Sequence, residues 1–511
     1  MLKVFSWALG GMSSALVSQC SHYLSNIFLH SPIHKLYNVI RRCYQRVFDR
    51  VVTKTLVHNL VHKIESGNYD SSIVFDYTYE DINHLLLSNV ESFKKIHSAV
   101  TRFNLKRIAR REEINVHFHL YDVSMWSCDE LYRLFEQDNR YKASVVIYRD
   151  GVFAPSSIDK YKATVKYFKD NGFDVVETYH DGGIVQKTDI QKADIVFRLT
   201  PYKLKPWSLD ILNSSLDSLL IYIPYSLTIN DYHQNHDIIY NQPGMNLSWV
   251  FFCEHELYYN VQSKYSKIGN FNLVTSGYPK LDEFYSSNYT NPTSIWKISN
   301  DIDPDTVKKI IYAPHHSILG NTIGFSTFHQ NYMEIYEYVK SHPDSTSWVI
   351  KPHPLLRTAS VAAGVFKSID EYDRYLDMWD ELPNAKTVRL GTYNDIFATS
   401  DGMITDSVSF ITEYQYVKKP LLLLTRETQL FNEVGEMIKT ILYQVPGDDM
   451  EGIFNFIDDI LINENDYMKP LRDEFFNKYL DYKTHNNGKL ASEFIYEYVS
   501  NAIDKYRKSE N

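Results

Sequence analysis

Short apolar runs alternate with helical stretches along most of this chain, and the alternation occurs twice, once on each side of a polar connector. The first series contains Ser144-Val-Val-Ile-Tyr148, Phe173-Asp-Val-Val-Glu177, Ala193-Asp-Ile-Val-Phe197, Leu219-Leu-Ile-Tyr-Ile223 and Trp249-Val-Phe-Phe252, with a helix predicted over Ile158 to Asn171. The second contains Lys309-Ile-Ile-Tyr-Ala313, Trp348 to Lys351, Thr387-Val-Arg-Leu390, Gly402 to Thr405 and Pro420-Leu-Leu-Leu-Leu424. Strands separated by helices build parallel sheets covered on both faces, so two Rossmann-like halves are expected. The connector, Ser286-Ser-Asn-Tyr-Thr-Asn-Pro-Thr-Ser294, is rich in turn formers and divides them. A length of 511 residues exceeds one ordinary core, which agrees with more than one domain. The expected division is a mostly helical region over 1–135, a first Rossmann-like domain over 136–290 and a second over 305–511.

The ends of the second-series strands carry the chemistry. Pro352 and Pro354 stop the strand Trp348 to Lys351 abruptly and leave His353 at its C-terminal end, where open α/β sheets bind ligands. A histidine there donates to phosphate oxygens, and Lys351, two residues earlier, would add a supporting charge. The strand Asp401 to Thr405 runs into Asp406-Ser407-Val-Ser409, whose side-chain oxygens and free backbone N–H groups suit either helix capping or a bound phosphate. Glu413 lies four residues beyond Ser409 on the same helix face. His315 and His316 end the strand Lys309 to Ala313, and adjacent residues point apart, so one of them is expected in the cleft. No acid or cysteine stands near them at zinc-ligand spacing, so no metal is expected. In the first half, Asp231, His233 and His236 follow the strand Leu219 to Ile223 and are the candidate general bases, against the alternative of a solvated polar loop.

These motifs carry a resemblance. The order Gly277-Tyr-Pro-Lys-Leu-Asp282, Ile311-Tyr-Ala-Pro314, Lys351-Pro-His-Pro354, Tyr393-Asn-Asp-Ile396, Ile404-Thr-Asp-Ser-Val-Ser409, Glu413-Tyr414 and Lys419-Pro420 resembles the CDP-glycerol:poly(glycerophosphate) glycerophosphotransferase family of teichoic-acid and capsule enzymes. The resemblance implies a GT-B fold, two Rossmann-like domains facing a cleft, with a CDP-linked donor held mainly by the second. It implies transfer of glycerol phosphate, or a related alditol phosphate, to a growing teichoic-acid-like or capsular polymer, with a polysaccharide or lipid-linked glycan as acceptor and no cofactor. Asp406 and Ser409 match the family's Asp and second Ser. Glu413 matches a carboxylate one helical turn later, which would hold the donor ribose or order the loop. The chain departs from the family where a His-Gly pair supplies the presumed base, because Tyr222-Ile-Pro-Tyr225-Ser226 stands at that corner. A glycosyltransferase using a nucleotide sugar and a non-catalytic glycan-binding or scaffold subunit are the alternatives.

Composition bounds the partners. Cys20, Cys43, Cys128 and Cys253 are far apart and form no metal-ligand spacing, which fits a reducing cytoplasm. Residues 1–63 hold eight Lys or Arg and one acid, Asp49, for a charge of +7, which leaves −17 on the remainder of a chain whose formal charge is −10. The acidic remainder argues against nucleic acid as a partner. The run from Val4 is broken by Gly10-Gly11 and Ser13-Ser14 before it reaches a spanning length. Leu36 to Val52 carries Arg41, Arg42, Arg46 and Arg50 between apolar residues at helical spacing, which suits either an anionic membrane surface or packing on the protein itself. Peripheral attachment to the inner face of the cell membrane is the expectation. No Walker loop, GxSxG elbow or HExxH helix occurs.

Overall fold

The computed structural model describes residues 90–151, 158–180, 183–184, 193–202, 204–205, 211–231, 235–285, 295–319, 323–389 and 393–508. The chain divides into two compact units, Met1–Arg107 and Ile108–Asn511. Of the first, the described part belongs to a helix, Val90–Ala109. The basic segment 1–63, the connector 286–294 and His233 lie outside the described residues. No helix among the described residues is long and apolar enough to cross a membrane.

The second unit contains two parallel sheets. The first has seven strands: β1 (Ile114–Leu120), β2 (Tyr141–Ile147), β3 (Val175–Glu177), β4 (Ile195–Arg198), β5 (Leu219–Tyr222), β6 (Val250–Cys253) and β7 (Leu273–Thr275), in the spatial order β7-β6-β5-β4-β1-β2-β3. The second has six: β8 (Lys308–Ala313), β9 (Thr346–Ile350), β10 (Ala385–Thr387), β11 (Gly402–Thr405), β12 (Leu421–Thr425) and β13 (Tyr443–Pro446), in the order β10-β9-β8-β11-β12-β13. Both are doubly wound, with the strand order reversing beside the first strand, between β1 and β4 and between β8 and β11. Ligands bind in the crevice that such a reversal opens at the strands' C-terminal ends. Strands covered on both faces must be apolar throughout, and Leu421 to Leu424 are accordingly all buried.

The first sheet begins at Ile114, inside the region expected to be helical. Ile-Asn-Val-His-Phe-His-Leu alternates with strand period, but its polar positions read as solvent-facing. Asn115, His117 and His119 are instead buried at the sheet centre. Burial costs them no charge, because desolvation lowers the His117 pKa to about 4 and that of His119 well below its usual value, leaving both neutral.

The chain returns to the first sheet at its end. Helix α1 (Asp129–Gln137) packs against helix α4 (Ala491–Lys508), with Phe135 and Tyr496 ring centres 5.1 Å apart. The Tyr141 and Ser500 hydroxyls meet at 2.9 Å, and Arg140 pairs with Asp504 at 2.9 Å. Asp282 fastens the start of α4 by accepting the N–H groups of Ala491 and Ser492, each at 2.8 Å, and the Tyr482 hydroxyl at 2.7 Å. Five residues earlier Gly277 adopts φ +85°, and a Cβ there would lie 2.3 Å from the Tyr482 ring, so only glycine fits this turn.

Candidate active site

The site is built at the reversal of the second sheet, where β9, β8 and β11 end side by side. Strand β8 gives way to Pro314, His315 and His316, and β9 to Lys351, Pro352 and His353. Two backbone bonds knit these turns together, from Lys351 N–H to the Tyr312 carbonyl at 2.8 Å and from His353 N–H to the Pro314 carbonyl at 3.0 Å. Three imidazoles therefore meet. Ring centres are 4.2 Å apart for His315 and His316, 5.1 Å for His315 and His353, and 4.2 Å for His316 and His353. Both members of the His315–His316 pair join the cluster, where strand alternation suggested one, because the strand has already ended.

Such a cluster binds either a cation or an anion, and the outer hydrogen bonds decide between them. A nitrogen from each ring lies within 4.8 Å of the others, close enough to suggest a metal. A metal-bound imidazole uses its lone pair on the ion and donates its other N–H outward to a carbonyl or carboxylate. The reverse holds here. His353 Nδ1 accepts from Leu355 N–H at 3.1 Å, and His315 Nδ1 accepts from Ser317 N–H at 3.3 Å. Backbone N–H groups can only donate, so the neutral His353 ring carries its proton on Nε2; His315 Nδ1 also meets the Ser317 hydroxyl at 2.8 Å, which accepts the Phe325 N–H, and the His315 ring takes the same tautomer when that hydroxyl donates to it. Desolvation keeps the rings neutral, holding His316 at about 4, His353 at about 3 and His315 well below the usual histidine value. His353 thus presents an Nε2–H donor, as an anion site requires, while the buried His316 Nδ1 has no partner among the described residues.

Lys351 supplies the charge. It is 7% exposed, and no described residue forms an ion pair or hydrogen bond with its ammonium, whose one recorded contact is the Tyr393 ring, 5.7 Å away. Desolvation and the neighbouring Lys280 lower its pKa to about 8, so it remains charged at neutral pH. A buried ammonium without a carboxylate costs free energy unless a ligand neutralises it.

Asp406 was expected beside a phosphate but holds the scaffold instead. It is 1% exposed and accepts three hydrogen bonds, from His315 N–H at 2.6 Å, Thr327 N–H at 2.5 Å and the Thr327 hydroxyl at 2.9 Å. Its carboxylate thus joins the β11 corner to the β8 turn and to the start of helix α2 (Phe328–Ser341). Desolvation raises its pKa to about 6. The following helix, α3 (Val408–Glu413), begins later than the sequence suggested, with Ser407 at the N-cap but making no capping bond. Ser407 is buried, and Ser409 is half-buried in the first turn.

Glu413 is 1% exposed and accepts the Tyr393 hydroxyl at 2.5 Å, while Lys280 from the first domain pairs with it at 3.8 Å and donates to the same hydroxyl. Glu413 thus ties the Tyr393 segment to Lys280. Asn394 strengthens the seam by donating to the Lys280 carbonyl at 3.1 Å and to Glu283 at 2.8 Å.

The candidate bases separate. Asp231 reaches the second domain, where its N–H donates to the Leu430 carbonyl at 2.8 Å next to the bridge between Asn230 and Phe431. Phe431 packs on Phe325 with ring centres 5.0 Å apart, and Phe325 lies 6.2 Å from His315, so two aromatic rings stand between this bridge and the histidine cluster. His236 is not brought there; its ring packs on Tyr265 at 3.9 Å, beside the Lys264–Glu433 pair. Three residues given no role in the sequence also matter. Lys280 and Tyr393 form the seam, and Glu254 ends β6 fully buried, with Oε2 unpartnered and its pKa raised to about 8 by desolvation. Their motifs were visible, but only the fold brings Lys280 to Glu413.

Two doubly wound domains, with three histidines and a buried lysine gathered at the second domain's sheet reversal, make a GT-B fold. Residues 254–501 match the family model for CDP-glycerol:poly(glycerophosphate) glycerophosphotransferase. No curated protein matches it in sequence. Among solved structures, a variant of the wall teichoic acid polymerase TagF is similar at 11% identity and a TM-score of 0.51, covering 82% of this chain and 95% of that one. TagF without a stated substitution is similar at 11% identity and a TM-score of 0.50, covering 81% and 94%. The UDP-GlcNAc 2-epimerase of Neisseria meningitidis shows a more distant likeness, at 13% identity and a TM-score of 0.43 over 70% of this chain and 94% of that one. The TagF likenesses establish the fold.

Proposed function

We propose that this protein transfers glycerol phosphate from CDP-glycerol to a teichoic-acid-type polymer. The observation that carries the reading is the buried Lys351 ammonium, without a carboxylate partner among the described residues, two positions from His353 in a cluster of three imidazoles. That set suits a diphosphate and has no use for a neutral ligand. The family match supplies the donor's identity. In the reaction the acceptor hydroxyl attacks the β-phosphorus, an O–P bond forms there, the bond to the bridging oxygen breaks, and CMP leaves. Lys351, His315 and His353 offset charge growing on the phosphate oxygens. Asp231, whose backbone joins the second domain at Leu430, is proposed to take the acceptor's proton. The acceptor is proposed to be a polysaccharide or lipid-linked glycan of the cell surface, extended from the cytoplasmic side. The +7 carried by residues 1–63 supports docking on anionic lipid. Removing that segment should release the protein from anionic vesicles, and undiminished binding would contradict the docking.

Incubation of the purified protein with CDP-glycerol, other CDP-alditols and nucleotide sugars tests the reaction. Release of CMP supports phosphotransfer. Release of CDP or UDP indicates glycosyl transfer, and no release with any donor points to a non-catalytic subunit.

A further inference from the structure

Two ammonium groups from different domains converge on one aromatic ring. Lys280, from the 3-10 helix Pro279–Tyr285 of the first domain, places its Nζ 4.4 Å from the centre of the Tyr393 ring, and Lys351 of the second domain lies 5.7 Å from it. Both side chains are withdrawn from solvent, with Lys280 15% and Lys351 7% exposed. Among the described residues only one carboxylate pairs with them, Glu413, 3.8 Å from Lys280. Glu283 is turned to Asn394 at 2.8 Å. The seam therefore holds two cations and one anion, and the excess charge sits two residues from His353. Like charges held this close out of water repel strongly, and a diphosphate between them would remove the repulsion.

We propose that Lys280 is a donor-binding residue contributed by the first domain, so that the diphosphate is gripped by a lysine from each domain and Glu413 positions Lys280 for that contact. This rests on the reading of the cluster as a nucleoside diphosphate site. It assigns Lys280 a task that a purely structural strut lacks, and it makes donor binding depend on the seam between the domains. The Tyr393 hydroxyl, between Lys280 and Glu413, keeps the ammonium oriented when no donor is present.

Lys280→Met tests the assignment because methionine keeps the apolar stem and removes the charge. The probes are CDP and cytidine, each titrated calorimetrically into the wild type and the variant. CDP should bind the variant about ten- to a hundredfold more weakly, the loss of one charge-assisted bond, while cytidine affinity stays unchanged. Lys280→Arg should retain CDP affinity to within a few fold. Equal CDP affinity in wild type and Lys280→Met, or an equal loss for CDP and cytidine, overturns the proposal and leaves Lys280 a strut. If the methionine variant does not fold, acetylation of the wild type by an activated ester, with and without CDP, replaces it. CDP should protect Lys280, and unaltered labelling overturns the proposal. A wild-type protein that binds UDP and not CDP would refute the donor assignment alone, since Lys280 would then be judged on UDP.

Discussion

Lys351→Met should make the unliganded protein more stable while weakening its hold on the donor. The native lysine has a pKa of about 8 against 10.5 when unfolded, and each pKa unit is worth about 1.4 kcal/mol, so keeping it charged in the free protein costs about 3 kcal/mol. Because the folded value is the lower one, the cost is fully present below pH 8 and fades as pH rises from about 8 to 10.5. Methionine fills much of the same space without charge, so the variant should gain up to about 3 kcal/mol at pH 7 by urea denaturation. CDP affinity should fall about ten- to a hundredfold by calorimetry. The wild type should bind CDP evenly up to about pH 7 and about tenfold more weakly by pH 9 as the ammonium is lost, whereas the variant should show no such decline. A variant that is less stable and binds CDP as tightly as the wild type would refute the reasoning, and would make Lys351 a packing element.

Three further outcomes follow from the same geometry. His353→Ala should remove most transfer activity and weaken CDP at least tenfold while changing stability by less than about 1 kcal/mol, and near wild-type turnover would remove His353 from the site. Asp406→Ala leaves the N–H groups of His315 and Thr327 unsatisfied, so it should cost about 3 kcal/mol or more in urea denaturation and lower turnover together with it; a stable, active variant would show that the corner does not need its clamp. Stability should fall between pH 6.5 and 5, because His117, His119, His255, His315, His316 and His353 have folded pKa values below the unfolded one and bind protons only on unfolding. Each contributes up to about 2 kcal/mol over that range. Glu254 and Asp406, raised to about 8 and about 6, and Asp129 and Asp282, raised by desolvation, act in the opposite direction but are fewer than the histidines; urea midpoints that hold steady or rise on acidification would contradict this balance.

The two sheets were legible because strands such as Leu421 to Leu424 are apolar throughout, and prolines mark where β9 ends. Strand β1 was not, because a strand with asparagine and two histidines looks half-exposed until its neighbours cover both faces. The histidine cluster was legible residue by residue, since each member stands at a strand end. The phosphate-donor role expected there for His353 rests on strand-end position alone, because the N–H groups of Leu355 and Ser317 that bear on it appear in no motif. Asp406 looked like a helix cap or phosphate ligand from its neighbours in sequence, while its true partners lie 79 and 91 positions away. Lys280 was hidden for the same reason, being 113 positions from Tyr393.

The central claim is that the bond broken joins the bridging oxygen to the donor's β-phosphorus. CDP-glycerol labelled at the β-phosphorus, incubated with the protein and an acceptor polymer, tests it directly. The account predicts that the label enters the polymer and unlabelled CMP is released in equal amount. Label retained in released CDP would contradict it, because attack would then have occurred at carbon.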